Sequence, residues 1–220
     1  MPMEKKVRGL YLTKKMLQAY PNGFCGATIT GSRGIGKTSL ALNAVWEMFR
    51  EIGLSEDDAW DATLKVLKFT MEEVVDYIQY YARSEEQARC LVWDDAGVHA
   101  STMEWWTNRD SLKRLKGVLD TIRTGVSNLI ITTPNENALT KIVRGYDDYI
   151  IQIGYSDRGG EYRIAKGYIK RTLPSGSIRI YPKFKNEFRV LLPDWVFNKY
   201  MKRRNQVLIE QIGAVKDGLK

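Results

Sequence analysis

Apolar and β-branched residues gather into four short runs, at 24–30 (FCGATIT), 90–93 (CLVW), 129–133 (LIITT) and 149–153 (YIIQI). Each has the length of a strand buried on both faces. Between them, at 37–50, 56–67, 71–82, 111–124 and 136–144, apolar positions recur among charged ones at helical spacing. Strand and helix alternate, which predicts a parallel sheet covered by helices on both faces, an α/β fold. Thr70 followed by Glu73 predicts an N-cap with a capping box, and Gly125 stops the helix that ends near Thr124. After Gly154 the pattern changes. Runs at 162–169 and 178–181 flank Pro174-Ser175-Gly176 and predict a hairpin, and Pro193 opens a final helix from Asp194 to about Ile212. Trp195, Val196, Tyr200, Val207 and Ile212 would form its apolar stripe. The expected division is a core of residues 1–154 and a C-terminal β-hairpin plus helix, 155–220, packed on that core or forming an appendage for DNA or another partner.

Composition narrows the class. Of 220 residues, 44% are hydrophobic and 27% charged, which excludes a disordered chain, a collagen-like repeat and a disulfide-stapled mini-protein. No run reaches the roughly 18 uncharged apolar residues of a membrane span, and the first six residues lead into no apolar signal core. A cytoplasmic protein is expected, and Cys25 and Cys90, both inside apolar runs, suit a reducing compartment. The net charge of +8 is uneven: residues 1–154 carry 19 Lys and Arg against 20 Asp and Glu, and residues 155–220 carry 15 against 6. A basic block on a balanced chain predicts contact with phosphate backbone. Arg163, Lys166, Lys170 and Arg171 on the hairpin, and Lys199, Lys202, Arg203 and Arg204 on the helix, are its candidates, with no base code and therefore sequence-tolerant DNA binding.

The chemistry starts directly after the first strand. Gly31-Ser32-Arg33-Gly34-Ile35-Gly36-Lys37-Thr38, followed by Ser39, matches G-x-x-x-x-G-K-[ST] and opens a helix. Its glycines let backbone N–H groups close around a phosphate at the positive end of that helix. Lys37 would reach the β- and γ-phosphates of ATP, and the Thr38 hydroxyl would ligate Mg²⁺. A phosphate cradle needs an acid at the end of a neighbouring strand, and CLVW ends in Asp94-Asp95: Asp94 for the metal, Asp95 to polarise the attacking water. At the tip of a third strand, Thr133 or Asn135 would orient water, and Arg144, ending the next helix, would point at a neighbouring subunit's nucleotide. Arg123 is a second such candidate. The stretch after the acids holds His99, Trp105, Trp106 and Arg109; its tryptophans suit base stacking, a subunit interface or core packing, and the lone histidine reads as structural.

In this order and spacing, GSRGIGKT, CLVWDD, LIITTPN and ALTKIVRGYDDYI resemble the P-loop ATPases of the additional-strand class, the AAA+ and DnaA-like group. WDDAG and the small size resemble ATPases encoded by archaeal viruses and plasmids. The resemblance spans roughly residues 22–154 and implies an ATPase that assembles on DNA as a homo-oligomer with nucleotide at subunit interfaces. It implies that the residues matching Lys37 and Thr38 bind nucleotide and Mg²⁺, that Asp94 supports the metal, Asp95 activates water, Asn135 senses the nucleotide, and Arg144 acts in trans. Two departures modify the expectation. The second acid is usually glutamate, and the shorter Asp95 predicts slow, switch-like turnover. The helical lid is absent, so no lid arginine is assigned. The expected function is a slowly hydrolysing ATPase acting on DNA in a mobile genetic element, in replication initiation, helicase loading, packaging or transfer. The alternatives are a nucleotide-gated DNA-binding or assembly protein with little turnover, and a small-molecule kinase.

Overall fold

The computed structural model describes residues 9–96, 109–135, 148–173 and 178–218. Its order is α1 (Tyr11–Ala19), β1 (Cys25–Thr30), α2 (Lys37–Glu51), α3 (Glu56–Lys65), β2 (Leu67–Lys68), α4 (Met71–Arg83), β3 (Leu91–Trp93), α5 (Arg109–Gly125), β4 (Asn128–Thr133), β5 (Tyr149–Tyr155), β6 (Tyr162–Thr172), β7 (Ile178–Arg189) and α6 (Asp194–Gly218). Seven strands form one sheet in the order β2-β3-β4-β1-β5-β6-β7. The first five are parallel, and β6 and β7 continue the sheet antiparallel from β5. β1 and β4 are buried along their full length, as expected of strands covered on both faces.

Two apolar clusters sandwich the sheet. On one face α1, α2 and α3 pack Met16, Leu42, Met48 and Trp60 around Ile29, Val92 and Ile151. On the other, α4 and α5 pack Val74, Ile78, Leu119 and Ile122 against Leu91, Trp93, Leu129 and Ile131. Among the described residues, no helix is long and apolar enough to cross a membrane.

The four strands and the helices at 37–50, 71–82 and 111–124 lie where the pattern placed them, within two residues at each end. The segment at 136–144 lies outside the described residues. The segment read as a helix through residue 67 instead ends at Lys65, and Leu67–Lys68 add a short parallel strand beside Val92 and Trp93. α1 has no counterpart in the pattern. Its Thr13 hydroxyl donates to Ala44 O (3.1 Å) and Glu47 Oε2 (2.7 Å), tying it to α2.

The hairpin is longer than its apolar runs, and its strands belong to the main sheet. β6 runs the length of β5 in register from Tyr149–Ile169 to Tyr155–Arg163. A methyl on Gly167 would lie 1.9 Å from the Phe184 ring, so only glycine fits there, next to a register shift in the β6–β7 pairing. Phe184 in turn stacks on Tyr11 of α1 at 4.6 Å.

α4 begins with the expected capping box. Glu73 N–H donates to Thr70 Oγ1 (3.2 Å), and Glu73 Oε2 accepts from the N–H groups of Phe69 (2.7 Å) and Thr70 (3.3 Å). The other carboxylate oxygen accepts from Arg203 of α6 at 2.8 Å. Burial pushes the Glu73 carboxyl up, but the Phe69, Thr70 and Arg203 donors outweigh it and hold it below the usual glutamate range. Thr70→Ala is expected to cost about 1 kcal/mol, the worth of an N-cap, and Glu73→Ala about 2 kcal/mol, since it also strands Arg203; urea unfolding would measure both.

Candidate functional site

At the C-terminal end of β1 the chain turns through Gly31, Gly34 and Gly36 into α2. Gly36 is the N-cap of α2 at φ +106°, and no side chain caps that helix. Its first N–H groups are therefore free of a side-chain acceptor at the positive end of the helix. A methyl on Gly36 would lie 2.5 Å from Val190, whereas Gly34, at φ +75°, faces open space. Glycine is needed at 34 for backbone freedom and at 36 for both freedom and room.

Lys37 is 6% exposed, and its ammonium donates to the carbonyls of Gly31 (3.0 Å) and Ser32 (2.9 Å). Burial holds it below the usual lysine range; Asp95 and Asp94 oppose that shift, and Arg204 and Arg33 reinforce it. A buried ammonium with no carboxylate in hydrogen-bond contact is poised for an anion.

The acid pair stands at the end of β3. Asp94 is fully buried, and three hydroxyls donate to it: Thr38 (2.7 Å) and Thr132 (2.6 Å) to Oδ1, and Tyr200 (3.0 Å) to Oδ2. Burial, with the Asp95 charge, pushes its carboxyl above the usual aspartate range, and the three donors only partly offset this. Asp95 leaves the strand at φ +49°, a left-handed conformation that aspartate tolerates better than most residues. Its N–H donates to Thr132 Oγ1 (2.9 Å), and its Oδ2 accepts from Arg204 at 2.6 Å. Thr132, on β4 between β1 and β3, therefore positions both acids.

A cavity of about 680 Å³ joins these parts. It is lined by Arg33, Gly34, Gly36, Lys37, Thr38 and Ser39 from the loop and α2, by Asp94, Asp95 and Pro134 from the strand ends, and by Phe197, Tyr200, Met201 and Arg204 from α6. Three cations face two carboxylates, a balance that an anion completes. The Mg²⁺ expected from the motif fits this donor set. Mg²⁺ takes one or two carboxylates and hydroxyl or water oxygens, and Asp94 with the Thr38 hydroxyl, 2.7 Å apart, provides that combination.

The structure thus brings together Gly31, Ser32, Arg33, Gly34, Gly36, Lys37, Thr38, Ser39, Asp94 and Asp95; Ile35 is buried beneath the loop as an apolar anchor. Asn135 follows the end of β4, where it is exposed and its carbonyl accepts from Thr133 Oγ1 at 3.0 Å. Arg144, His99, Trp105 and Trp106 lie outside the described residues. Arg123 lies at the opposite end of the sheet, where the strands begin: its carbonyl accepts from Gln87, which also bonds Ser127.

Three residues of the site lie outside the sequence expectation for it: Thr132, beside the expected Thr133; Tyr200, expected in an apolar stripe; and Arg204, expected on a basic surface. Arg203 likewise turns inward to Glu73 and the carbonyls of Leu64 and Leu67, and Lys199 pairs with Asp61. Half of the helix's expected DNA cations are thus turned to the protein's own core and site, because Val196 and Tyr200 pack that face of α6 down. The i, i+4 spacing of Tyr200 and Arg204, on the same face as Val196, is the signal that points to the site.

The strand order places β4 between the strand that leads into the glycine loop and the strand that ends in the acid pair. With the loop, the lysine and the hydroxyl–carboxylate pair, this defines the P-loop NTPase fold with its additional strand. No protein-family model matches the chain. It is 29% identical over 227 residues to the uncharacterized protein B-251 of Sulfolobus spindle-shape virus 1, covering 99% of this chain and 90% of that one. Among solved structures it is similar to the N-terminal domain of zonular occludens toxin from Neisseria meningitidis (17% identity, TM-score 0.45, 80% of this chain and 97% of that one). It is also similar to the genome packaging NTPase B204 of Sulfolobus turreted icosahedral virus 2 in complex with AMPPCP (13% identity, TM-score 0.42, 73% and 98%).

Proposed function

We propose that this chain is a Mg²⁺-dependent ATPase that acts on DNA in an archaeal virus or related mobile element. The observation that carries the reading is the buried Lys37 ammonium, held only by backbone carbonyls and facing a carboxylate–hydroxyl pair across an open cavity. Lys37 and the N–H groups at the start of α2 bind the β- and γ-phosphates, and Arg33 adds charge at the rim. Thr38 and Asp94 would hold Mg²⁺, which would neutralise charge on the phosphates. Asp95 takes a proton from the attacking water; the water oxygen bonds to the γ-phosphorus, the bond to the β–γ bridging oxygen breaks, and ADP and phosphate leave. Thr132 keeps the two acids in register. Asn135, after the end of β4, completes the polar rim.

Sequence-tolerant DNA contact falls to the sheet extension. Gln152, Lys166 and Lys185 stand in register across β5, β6 and β7 and are exposed, and Arg171, Arg179 and Lys183 are exposed beside them. Such a surface tracks phosphates without reading bases. The same reading has copies assembling with nucleotide between them and Arg144 reaching a neighbour's site. It is supported by the exposed apolar residues Leu208, Ile209 and Ile212 on α6.

The test is steady-state ATP hydrolysis with and without single- and double-stranded DNA, with Asp95→Asn as the blank. Asparagine keeps the left-handed backbone, so the fold should persist while turnover falls about a hundredfold, the low end for loss of a general base. DNA should raise the wild-type rate. If five phosphates are contacted, log affinity for duplex should fall with a slope of about −4.5 against log salt. A DNA-independent rate with a flat salt response would remove the DNA assignment.

A further inference from the structure

α6 occupies both carboxylates of the acid pair at once. Tyr200 donates to Asp94 Oδ2 at 3.0 Å, and one turn later Arg204 donates to Asp95 Oδ2 at 2.6 Å. The helix is seated there firmly: Val196 and Tyr200 are buried, Phe69 stacks on Tyr200 at 6.0 Å, and Arg203 is bonded to Glu73, Leu64 O and Leu67 O. α6 thus engages one oxygen of each carboxylate, Oδ2 of Asp94 and Oδ2 of Asp95.

Resting on the reading of the site above, we propose that α6 is an intramolecular inhibitor of the acid pair: Asp95 and the terminal phosphate of a bound nucleoside triphosphate compete for Arg204, and Asp95 is released to water only when the phosphate wins. Three features support the exchange. Arg204 and Lys37 line the same cavity and the Arg204 charge acts on the Lys37 ammonium, so a phosphate on Lys37 lies within the electrostatic reach of Arg204. The Arg204 side chain is 48% exposed and joined to Asp95 by a single hydrogen bond at the cavity wall, so it can swing to a phosphate while Val196 and Tyr200 stay packed. A triphosphate carries the charge that a diphosphate lacks at that wall, so the competition itself discriminates between them. An arginine fork suits phosphate as well as carboxylate.

A binding cycle tests this without turnover. The affinities of the Mg²⁺ complex of a β,γ-methylene ATP analogue and of ADP are measured by calorimetry for wild type, Asp95→Asn, Arg204→Gln and the double variant. Each variant's melting curve verifies that it is folded. Asp95→Asn frees Arg204 and should tighten the analogue about tenfold with ADP unchanged. Arg204→Gln should weaken the analogue about tenfold with ADP unchanged, and adding Asp95→Asn to it should restore less than twofold. Equal tightening by Asp95→Asn in both Arg204 backgrounds would mean simple loss of charge repulsion and would overturn the proposal. So would an Arg204→Gln variant that keeps the wild-type preference for triphosphate. If neither nucleotide binds wild type, it is the reading of the P-loop that fails.

Discussion

Lys37→Ala is expected to lower affinity for ATP by about a hundredfold and kcat/KM by about a thousandfold, while the melting temperature moves by only a few degrees. The asymmetry follows from what the ammonium touches. Its present partners are two backbone carbonyls of the loop, Gly31 and Ser32, so the folded chain loses two charge-assisted hydrogen bonds and regains the cost of burying a charge. A nucleotide loses its principal buried cation. Removing one partner of a desolvated charge pair costs about 2–5 kcal/mol, and the attraction strengthens further as charge moves toward the bridging oxygen. Nucleotide titration and differential scanning fluorimetry on the same sample separate the two effects. Unimpaired binding would displace Lys37 from the phosphate site.

Asp94→Asn and Asp94→Ala should part company. All three donors to Asp94 are hydroxyls, two on Oδ1 and one on Oδ2. Asparagine can reproduce the set: its carbonyl oxygen accepts from Thr38 and Thr132, and its amide donates to Tyr200 Oη, a hydroxyl that can accept as readily as donate. Neutralising a fully buried carboxylate beside the Asp95 charge also removes a desolvation cost. Asp94→Asn should therefore match or exceed the wild-type melting temperature, yet lose Mg²⁺-dependent nucleotide binding and about a thousandfold of turnover. Asp94→Ala leaves Thr38, Thr132 and Tyr200 facing a void with no acceptor and should cost about 3 kcal/mol or more of stability. Equal destabilisation by both would show that charge, and not hydrogen-bond geometry, holds these elements together.

The parallel strands were legible because each is a run of apolar residues bounded by polar ones, and the glycine loop because its spacing leaves little alternative. The half of the candidate site built from residues 31–39 was legible with it, since those residues are contiguous. What escaped depends on distance. β2 is two residues long, too short for a period to register, and exists only because Leu67 and Lys68 lie beside Val92 and Trp93. β7 runs on through Lys183, Lys185, Asn186 and Glu187, whose polarity reads as loop until an edge strand with one wet face is recognised. Tyr200 lies 106 positions from Asp94 and Arg204 109 from Asp95, and the i, i+4 spacing that puts both on the Val196 face tells which side of the helix they share but not which acids they meet. Thr132 and Thr133 are adjacent, and the alternation of a strand sends one to the acid pair and the other to the Asn135 carbonyl.

The position of α6 also sets an order of events in synthesis. The sheet runs from β2 at one edge to β7 at the other, and α6, following β7 in the chain, returns to rest against α3, Phe69 and Glu73 beside β2. At a ribosomal rate of about 5–20 residues per second, Tyr200 is made roughly 5–20 s after Asp94. For that interval the loop, the lysine and both acids exist without the helix that covers them, and Asp94 lacks one of its three donors. A nascent chain thus passes through a stage in which its acid pair is uncovered, and the restraint on that pair arrives after the loop, the lysine and both acids.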